Sequence, residues 1–527
     1  MNQHTLKFIG KTRIGLLGAL LATALLFVAC GGGGGGGGGD VTGGSTFVDS
    51  NGNPIVPGGT IPPVNAGLLD PTIISRAGEG GNYPPMVAID NVGNALAVWI
   101  VQKSSILSPA GESEELLARR YVAGSGWQAI ESIAGPTNGQ NLKSATIRMD
   151  KVTGKAIVVW FLQGTVNVPG TNVFGSNLSS RTFDPASGWA APLAIETSQP
   201  LRVDNNIALA MDASGNAMAV WNRYESLQTT IYASRYTAAG GWSAPVRIEN
   251  ENTLGGGGGM LVTFLPNGNA LAVWNSSRTG GGTGGGVRSA IWGNQYTVGS
   301  GWGTNSVVMR HTDNLLLGGA RGLAADQNGN VLLTFEQQLL IPGQGKYELN
   351  LFSKRYSGGA WGADSTAQPV GVPFSCSNCP SVYGGSVQMN TQGTAVATWE
   401  LSNASGKNVI WAARSTNGSA WESAQLNADI AQFTQRGEFA NAGIDDQGNI
   451  TVVWSAVSEV TSKTDINFAR YTASSGWAAT ALLEEYDSTS ERPQIAMNAR
   501  GNAMTMWQQF DNSLGTVIAS RYSSSGR

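Results

Sequence analysis

The stretch that decides the fold is Met86-Val87-Ala88-Ile89-Asp90-Asn91-Val92-Gly93-Asn94-Ala95-Leu96-Ala97-Val98-Trp99. It holds a short apolar strand ending in Asp, a glycine turn, and a second strand ending in Trp. Asp can bond its own backbone two residues on, and Gly supplies the positive φ that a tight hairpin needs. The pattern returns at Asp150 to Trp160, Asp212 to Trp221, Asn267 to Trp274, Asp326 to Phe335, Asn390 to Trp399, Asp445 to Trp454 and Asn498 to Trp507. The turn glycines are Gly93, Gly154, Gly215, Gly268, Gly329, Gly393, Gly448 and Gly501.

A second half follows each hairpin. A strand carries Arg and then an aromatic, as in Arg120-Tyr121, Arg235-Tyr236, Arg355-Tyr356, Arg470-Tyr471 and Arg521-Tyr522. After a Gly/Ser/Ala turn comes a second tryptophan: Trp127, Trp189, Trp242, Trp302, Trp361, Trp421 or Trp477. A last strand closes the unit. Units of four short strands repeated eight times predict an all-β fold, an eight-bladed β-propeller of antiparallel blades. Of the 16 tryptophans, all but Trp292 and Trp411 fall on the two repeat positions, which makes them blade-packing residues. The recurring Arg is expected to stack on a neighbouring tryptophan.

The final repeat stops at Arg521-Tyr522 without its second Trp and fourth strand. The segment Leu69 to Ser75, ahead of the first repeat, is unassigned. It is expected to supply the missing outer strand and to close the ring, first blade to last. An open array would instead need capping units at both ends.

Composition narrows the function. The 527 residues carry 73 glycines, a net charge of −3 and 13% charged residues, against a usual charged share of about 25%. With no basic surplus to neutralise phosphates, nucleic acid is not an expected partner. Two histidines, His4 and His311, leave no two-histidine metal site in the folded part. The Asp-x-x-Gly turns lack the alternating oxygen ligands of a calcium loop. No metal or cofactor is expected.

The N-terminus carries Lys7, Lys11 and Arg13 and then an apolar run, Ile14 to Ala29. That run is shorter than the ~20 residues of a membrane span, so residues 1–29 read as a secretory signal. It ends Phe27-Val28-Ala29-Cys30, which resembles the lipobox of bacterial lipoproteins. The resemblance implies cleavage before Cys30 and lipidation of that residue. Gly31 stands where inner-membrane lipoproteins carry Asp, which implies an outer-membrane location in the cell envelope. Gly31 to Gly39 is an unbroken flexible tract, and residues 30–67 read as the linker to a propeller domain at 68–527.

The repeat is similar to that of sialidase-type propellers with Asp-box-like hairpins, although Trp221 stands six residues after Gly215 where the Asp-box has Trp three after Gly. It also resembles the eight-bladed lipoprotein of the barrel-assembly machinery and quinoprotein-type blades; Asp150, Thr153 and Gly154 fit the quinoprotein Asp-x-x-Thr-Gly spacing.

Short uniform turns after strands one and three predict one plain face. Connections after strands two and four vary in length and emerge on the opposite face, where binding is expected. Ile100 to Glu115, Phe161 to Ser179, Gly255 to Gly259, Thr279 to Gly286 and Gln337 to Leu349 are read as its loops. Cys376 and Cys379 also lie there, and export makes a loop-pinning disulfide the expected state. Arg321 and Arg492 open their blades, Arg436 stands just ahead of another, and Tyr83 opens the first. These four form a candidate ligand face. The expected function is a non-catalytic binding or scaffold module for an envelope protein or carbohydrate. The alternative is a sialidase-like, glycan-processing enzyme, for which Glu114, Glu225, Glu336 and Glu400 are available carboxylates.

Overall fold

The structure is a computed structural model. It describes residues 47–48, 54–55, 68–76, 83–102, 114–135, 140–168, 171–196, 202–225, 228–249, 259–279, 287–310, 315–341, 343, 346–371, 374–376, 382–402, 408–416, 418, 420–427, 432–433, 440–458, 463–483, 489–511 and 514–524. Residues 1–46, with the signal segment and Cys30, lie outside it. Phe47–Val48 pairs with Pro54–Ile55 in a minimal ladder within the stretch read as linker.

The fold is an eight-bladed β-propeller. Blade one comprises Met86–Ile89, Ala95–Gln102, Glu114–Val122 and Gly126–Ala134, hydrogen-bonded in that order. Seven further sheets follow the same order. First strands of successive blades touch in cyclic sequence, and Thr489–Met497 of blade eight touches Met86–Ile89 of blade one. The ring is therefore closed around an axis lined by first strands.

Closure uses the expected segment. Leu68–Ile73 pairs antiparallel with Leu514–Tyr522, matching Leu68 to Tyr522 and Ile73 to Ile518. The register shifts between Leu69 and Thr72, which places Pro71 at a bulge where its missing N–H costs no ladder bond. Val517 N–H donates to Ser75 Oγ at 2.9 Å, and Arg119 of blade one donates from Nη1 to Ile74 O at 2.9 Å.

Each large aromatic at the end of strand two packs backward onto the preceding blade. Trp99 lies among Met506 and Val517 of blade eight. Trp221 lies among Ile157 and Phe161 of blade two, and Trp454 among Val396 and Ile410 of blade six. Trp99, Trp221, Trp454 and Trp507 are all 0% exposed. Trp292 and Trp411, outside the repeat positions, are the cross-strand partners of Trp274 and Trp399. The Trp399 and Trp411 rings stack 6.0 Å apart. They too are packing residues.

The arginines depart from the sequence reading. They do not stack chiefly on tryptophan but reach forward to the next blade's third-strand aromatic. Arg120 lies over Phe183 at 5.4 Å, Arg235 over Tyr296 at 5.6 Å, Arg470 over Tyr522 at 3.7 Å and Arg521 over Tyr121 at 5.4 Å. The tryptophan at that level is occupied by its own blade's aromatic, as in Tyr121–Trp127 at 5.4 Å. Backward tryptophans and forward arginines thus bind every blade described this way to its neighbours.

Two further expectations change. The outer strand is broken in most blades: in blade two, Gly188–Trp189 is separated from Leu193–Glu196, and in blade three Gly241–Trp242 from Val246–Arg247. Pro192 and Pro245 stand in those gaps and cannot donate to a ladder. Breaking an edge strand also blunts it against pairing with other chains. The stretches Phe161 to Ser179 and Gln337 to Leu349 are not loops. They are hairpins that extend the second and third strands, Ala156–Val168 with Thr171–Asp184 and Val331–Ile341 with Lys346–Ser357. Their β-branched and aromatic residues, such as Thr165, Val166, Val173 and Phe174, favour extended pairing over loop.

Candidate functional site

The plain face is built by the Asp turns. Asp90 Oδ1 accepts from the N–H groups of Val92, Gly93 and Asn94 at 2.8–2.9 Å, and Oδ2 accepts from Asn94 Nδ2 at 2.7 Å. Asp212, Asp326 and Asp445 make the same turn. A carboxylate saturated in this way serves the turn. Blade four departs: Leu265 holds the Asp position, and Asn267 instead accepts from Asn269 N–H at 3.0 Å. Neighbouring turns are bonded to each other, Asn91 N–H to Lys151 O at 2.7 Å and Asp446 N–H to Ala499 O at 3.1 Å.

The bore carries two cations that the sequence reading did not single out, Arg148 on the first strand of blade two and Lys151 in its turn. Both touch solvent. Both are nevertheless ringed by protein, and desolvation lowers their pKa values from the ordinary ones. Asp446 partly restores that of Lys151. Arg148 Nη1 donates to Ile147 O at 2.8 Å.

On the opposite face the first strands are bulged, and the bulges position the charged groups. Arg321 does not open its strand; it sits within Leu315–Ala325, in a register shift between Ala320 and Gly322. Its Nη2 donates to Glu336 Oε2 at 2.7 Å and to Val382 O at 3.3 Å. Glu336 is 3% exposed. The equivalent bulge in blade six is Gly385, at φ +90°, where a Cβ would lie 2.7 Å from Arg321 Cβ. A glycine there is what lets the arginine lie across the blade junction. Arg492 also lies mid-strand, within Thr489–Met497, at φ +58° in the bulge with Pro493. It donates from Nη1 to Gln508 Oε1 at 3.2 Å.

The candidate face is not brought together as one constellation. Arg321 belongs to blade five, Arg492 to blade eight and Tyr83 to the entry of blade one, and no described bond or ion pair joins them. Arg436, Cys379 and His311 lie outside the described residues. Cys376 is described only as backbone paired with Tyr347, so the disulfide lies outside as well. The side chain of Glu225 is not described.

What the structure does assemble is Tyr83, Glu114 and Lys143, at the junction of blades one and two. Glu114 opens the third strand of blade one and is 5% exposed. Lys143 occupies the bulge between Leu142 and Ser144 of blade two, and its Nζ stands 3.6 Å from Glu114 Oε1. Glu114 Oε2 is buried with no protein partner. Burial raises the Glu114 pKa above its ordinary value, against the opposing pull of Lys143. Tyr83 is raised as well, first by burial and then by the Glu114 charge. Such a carboxyl can hold a proton at higher pH than a surface glutamate and release it to a bound group. Lys143 was not legible beforehand, because a bulge leaves no mark in an alternating pattern. Among the described residues no cluster of three His, Cys, Asp or Glu stands close enough to hold a metal ion.

No family model and no curated protein matches this chain. Solved structures give distant likenesses. A protein of unknown function from Dyadobacter fermentans is 11% identical with a TM-score of 0.38, covering 88% of this chain and 99% of that one. The polysaccharide lyase Uly1 is 9% identical with a TM-score of 0.42, covering 84% and 90%. A leech intramolecular trans-sialidase is 9% identical with a TM-score of 0.38, covering 88% and 93%. The chain is an eight-bladed β-propeller closed by its N-terminal strand.

Proposed function

We propose that this protein is a non-catalytic binding or scaffold module of the bacterial cell envelope, anchored through a lipid on Cys30 and engaging a protein or glycan through its variable face. The observation that carries this reading is the internal use of the charged groups there. Arg321 is held by Glu336 and a carbonyl, and Arg492 is held by Gln508. They brace a rigid face rather than converge on one reacting atom. The lipobox-like Phe27 to Cys30 and the glycine tract support the tether and an outer-membrane site. Affinity capture from solubilised envelope, with the full lipidated chain as bait, tests the module. A stoichiometric partner lost on substitution of the 103–113 connection supports it; no retained partner counts against it. Cys30→Ala should shift the protein to the soluble fraction, and retention in the membrane would overturn the anchor.

A second reading, a glycan-processing enzyme, is favoured by Glu114 alone. Its buried, proton-retaining carboxyl beside Tyr83 and Lys143 suits a proton donor. A glycosidase screen of the wild-type chain and Glu114→Gln decides it: activity abolished by the substitution supports this reading, and no activity in the wild type removes it.

A further inference from the structure

A groove of about 410 Å³ opens on the outer half of the cleft between blades three and four. That volume falls within the range of about 300–1,000 Å³ found for small-ligand sites. The groove lies beside the Thr237–Gly241 turn, at the plain end of the blades and away from the variable face. Its walls include the indoles of Trp242 and Trp302 and the phenol of Tyr296. Arg235 is its only charged lining residue.

Arg235 takes the same forward placement as its counterparts around the ring, and it is the one that lines this groove. Arg120 spends a guanidinium hydrogen on Pro185 O at 3.2 Å. Arg470 lies tightly on Tyr522, at 3.7 Å. The Arg235 guanidinium stands 5.6 Å from the centre of Tyr296 and lines the groove; its Nε is buried with no hydrogen-bond partner, as is that of Arg470. A planar guanidinium lining the groove matches a carboxylate better than any neutral group.

The rest of the lining narrows the class. Three aromatic residues line the groove, while Thr237 and Ser243 add hydroxyls and Gly240 and Gly241 leave the backbone bare. A pyranose fits that mixture: its C–H face covers an aromatic ring and its hydroxyls meet the polar edge. A peptide strand fits poorly, because the outer edge here consists only of Gly241–Trp242 and Val246–Arg247, too short to template pairing. One cation on a chain of net charge −3 does not suit nucleic acid.

We propose that this groove binds a carboxylated sugar, a hexuronate residue of an acidic polysaccharide, with Arg235 on the carboxylate and the Trp242, Trp302 and Tyr296 rings against the pyranose. The site is separate from the variable face and does not depend on it.

The test is calorimetric titration of the full chain with trigalacturonate, and with a neutral trisaccharide as comparison. The acidic sugar should bind about tenfold or more tightly than the neutral one, and more weakly as salt rises. Arg235→Lys keeps a cation near Tyr296 but loses the fork, and should weaken binding about tenfold. Val246→Glu sets an acid on an exposed position of the lining, 48% exposed, and should abolish binding with the melting temperature unchanged. Equal affinity for acidic and neutral sugars, no binding of trigalacturonate, or full affinity in both variants would each overturn the proposal. Tighter binding of an acidic peptide than of trigalacturonate would also overturn it. Substitutions on the variable face should leave this titration unchanged, so its failure is distinguishable from failure of the envelope-partner reading.

Discussion

Asn498 Nδ2 donates a hydrogen bond to Asp90 O at 2.8 Å, joining two residues 408 positions apart. Asn498 Oδ1 meanwhile accepts from Arg500 and Asn502 N–H at 3.0 Å each. One side chain thus closes its own turn and fastens the last blade to the first. Asn390 does the same between blades six and seven, donating to Asp445 O at 3.0 Å. Asparagine can serve both roles because it carries a donor and an acceptor, whereas an ionised aspartate only accepts. Asn498→Asp should keep the turn and lose the junction, destabilising by about 0.5–1.5 kcal/mol, because the Asp90 carbonyl loses one hydrogen bond and keeps the one from Gly93 N–H. Denaturant unfolding of the two proteins checks it, and an unchanged midpoint would refute it.

The closing strand makes a larger contribution. Ile73 and Ile74 are 2% and 0% exposed and pack into the interfaces of blade eight with its neighbours. Deleting residues 68–75 should strip blade eight of its outer strand and uncover Val517 and Ile518. The expected outcome is a lower melting temperature and early proteolysis within 489–524, with partial recovery when the segment is supplied as a peptide.

Trp221 is fully buried against blade two. Trp221→Ala should cost about 3–5 kcal/mol, the usual range for a large aromatic truncated in a core. A melting temperature equal to the wild type would contradict the packing role of the second-strand tryptophans.

Gly385→Ala meets two obstacles at once: a positive φ and the Arg321 side chain in the space its Cβ would need. The cost should exceed ~1 kcal/mol, because glycine-to-alanine changes destabilise by more than that where φ is positive. Urea unfolding of the variant measures it. Arg321→Gly, which removes both the Cβ and the Cγ that stand in the way, should lessen the effect of Gly385→Ala, and simple additivity of the two would argue against the contact.

Stability should also report on Glu114. Its folded pKa is raised, so the folded state holds the proton more tightly than the unfolded chain does. The resulting stability is fully present below the ordinary value of 4.5 and is lost as pH rises through the folded value. Glu114→Gln is neutral throughout and lacks this loss. Relative to wild type, the variant should therefore gain stability as pH rises from acid to neutral. A pH-independent difference between the two melting curves would contradict the burial of that carboxyl.

The propeller was legible because its signals are local. Asp90 to Trp99 is a strand, a turn and a strand whatever surrounds it, since the side-chain bonds of Asp90 fall within four residues. Eight copies then require stacking, and a missing last strand requires a donor elsewhere. The broken outer strands were partly legible in Pro192 and Pro245. The hairpins at 156–184 and 331–357 were not, because length alone does not separate a long loop from a long ladder. The candidate site was least legible. Arg321 and Arg492 were found as residues, but their placement in bulges and their partners Glu336 and Gln508 depend on register, which no single strand reveals.

By itself the sequence determined the architecture of this protein: strand and turn chemistry, blade number and ring closure, all set by contacts short in sequence or repeated along it. Tertiary structure alone decided which groups meet across blade junctions. Glu114 with Lys143, Arg235 with Tyr296 and Arg321 with Gly385 are pairs formed by neighbouring blades. Their chemistry arises from burial and close approach in the closed ring, conditions that hold only after the blades have packed.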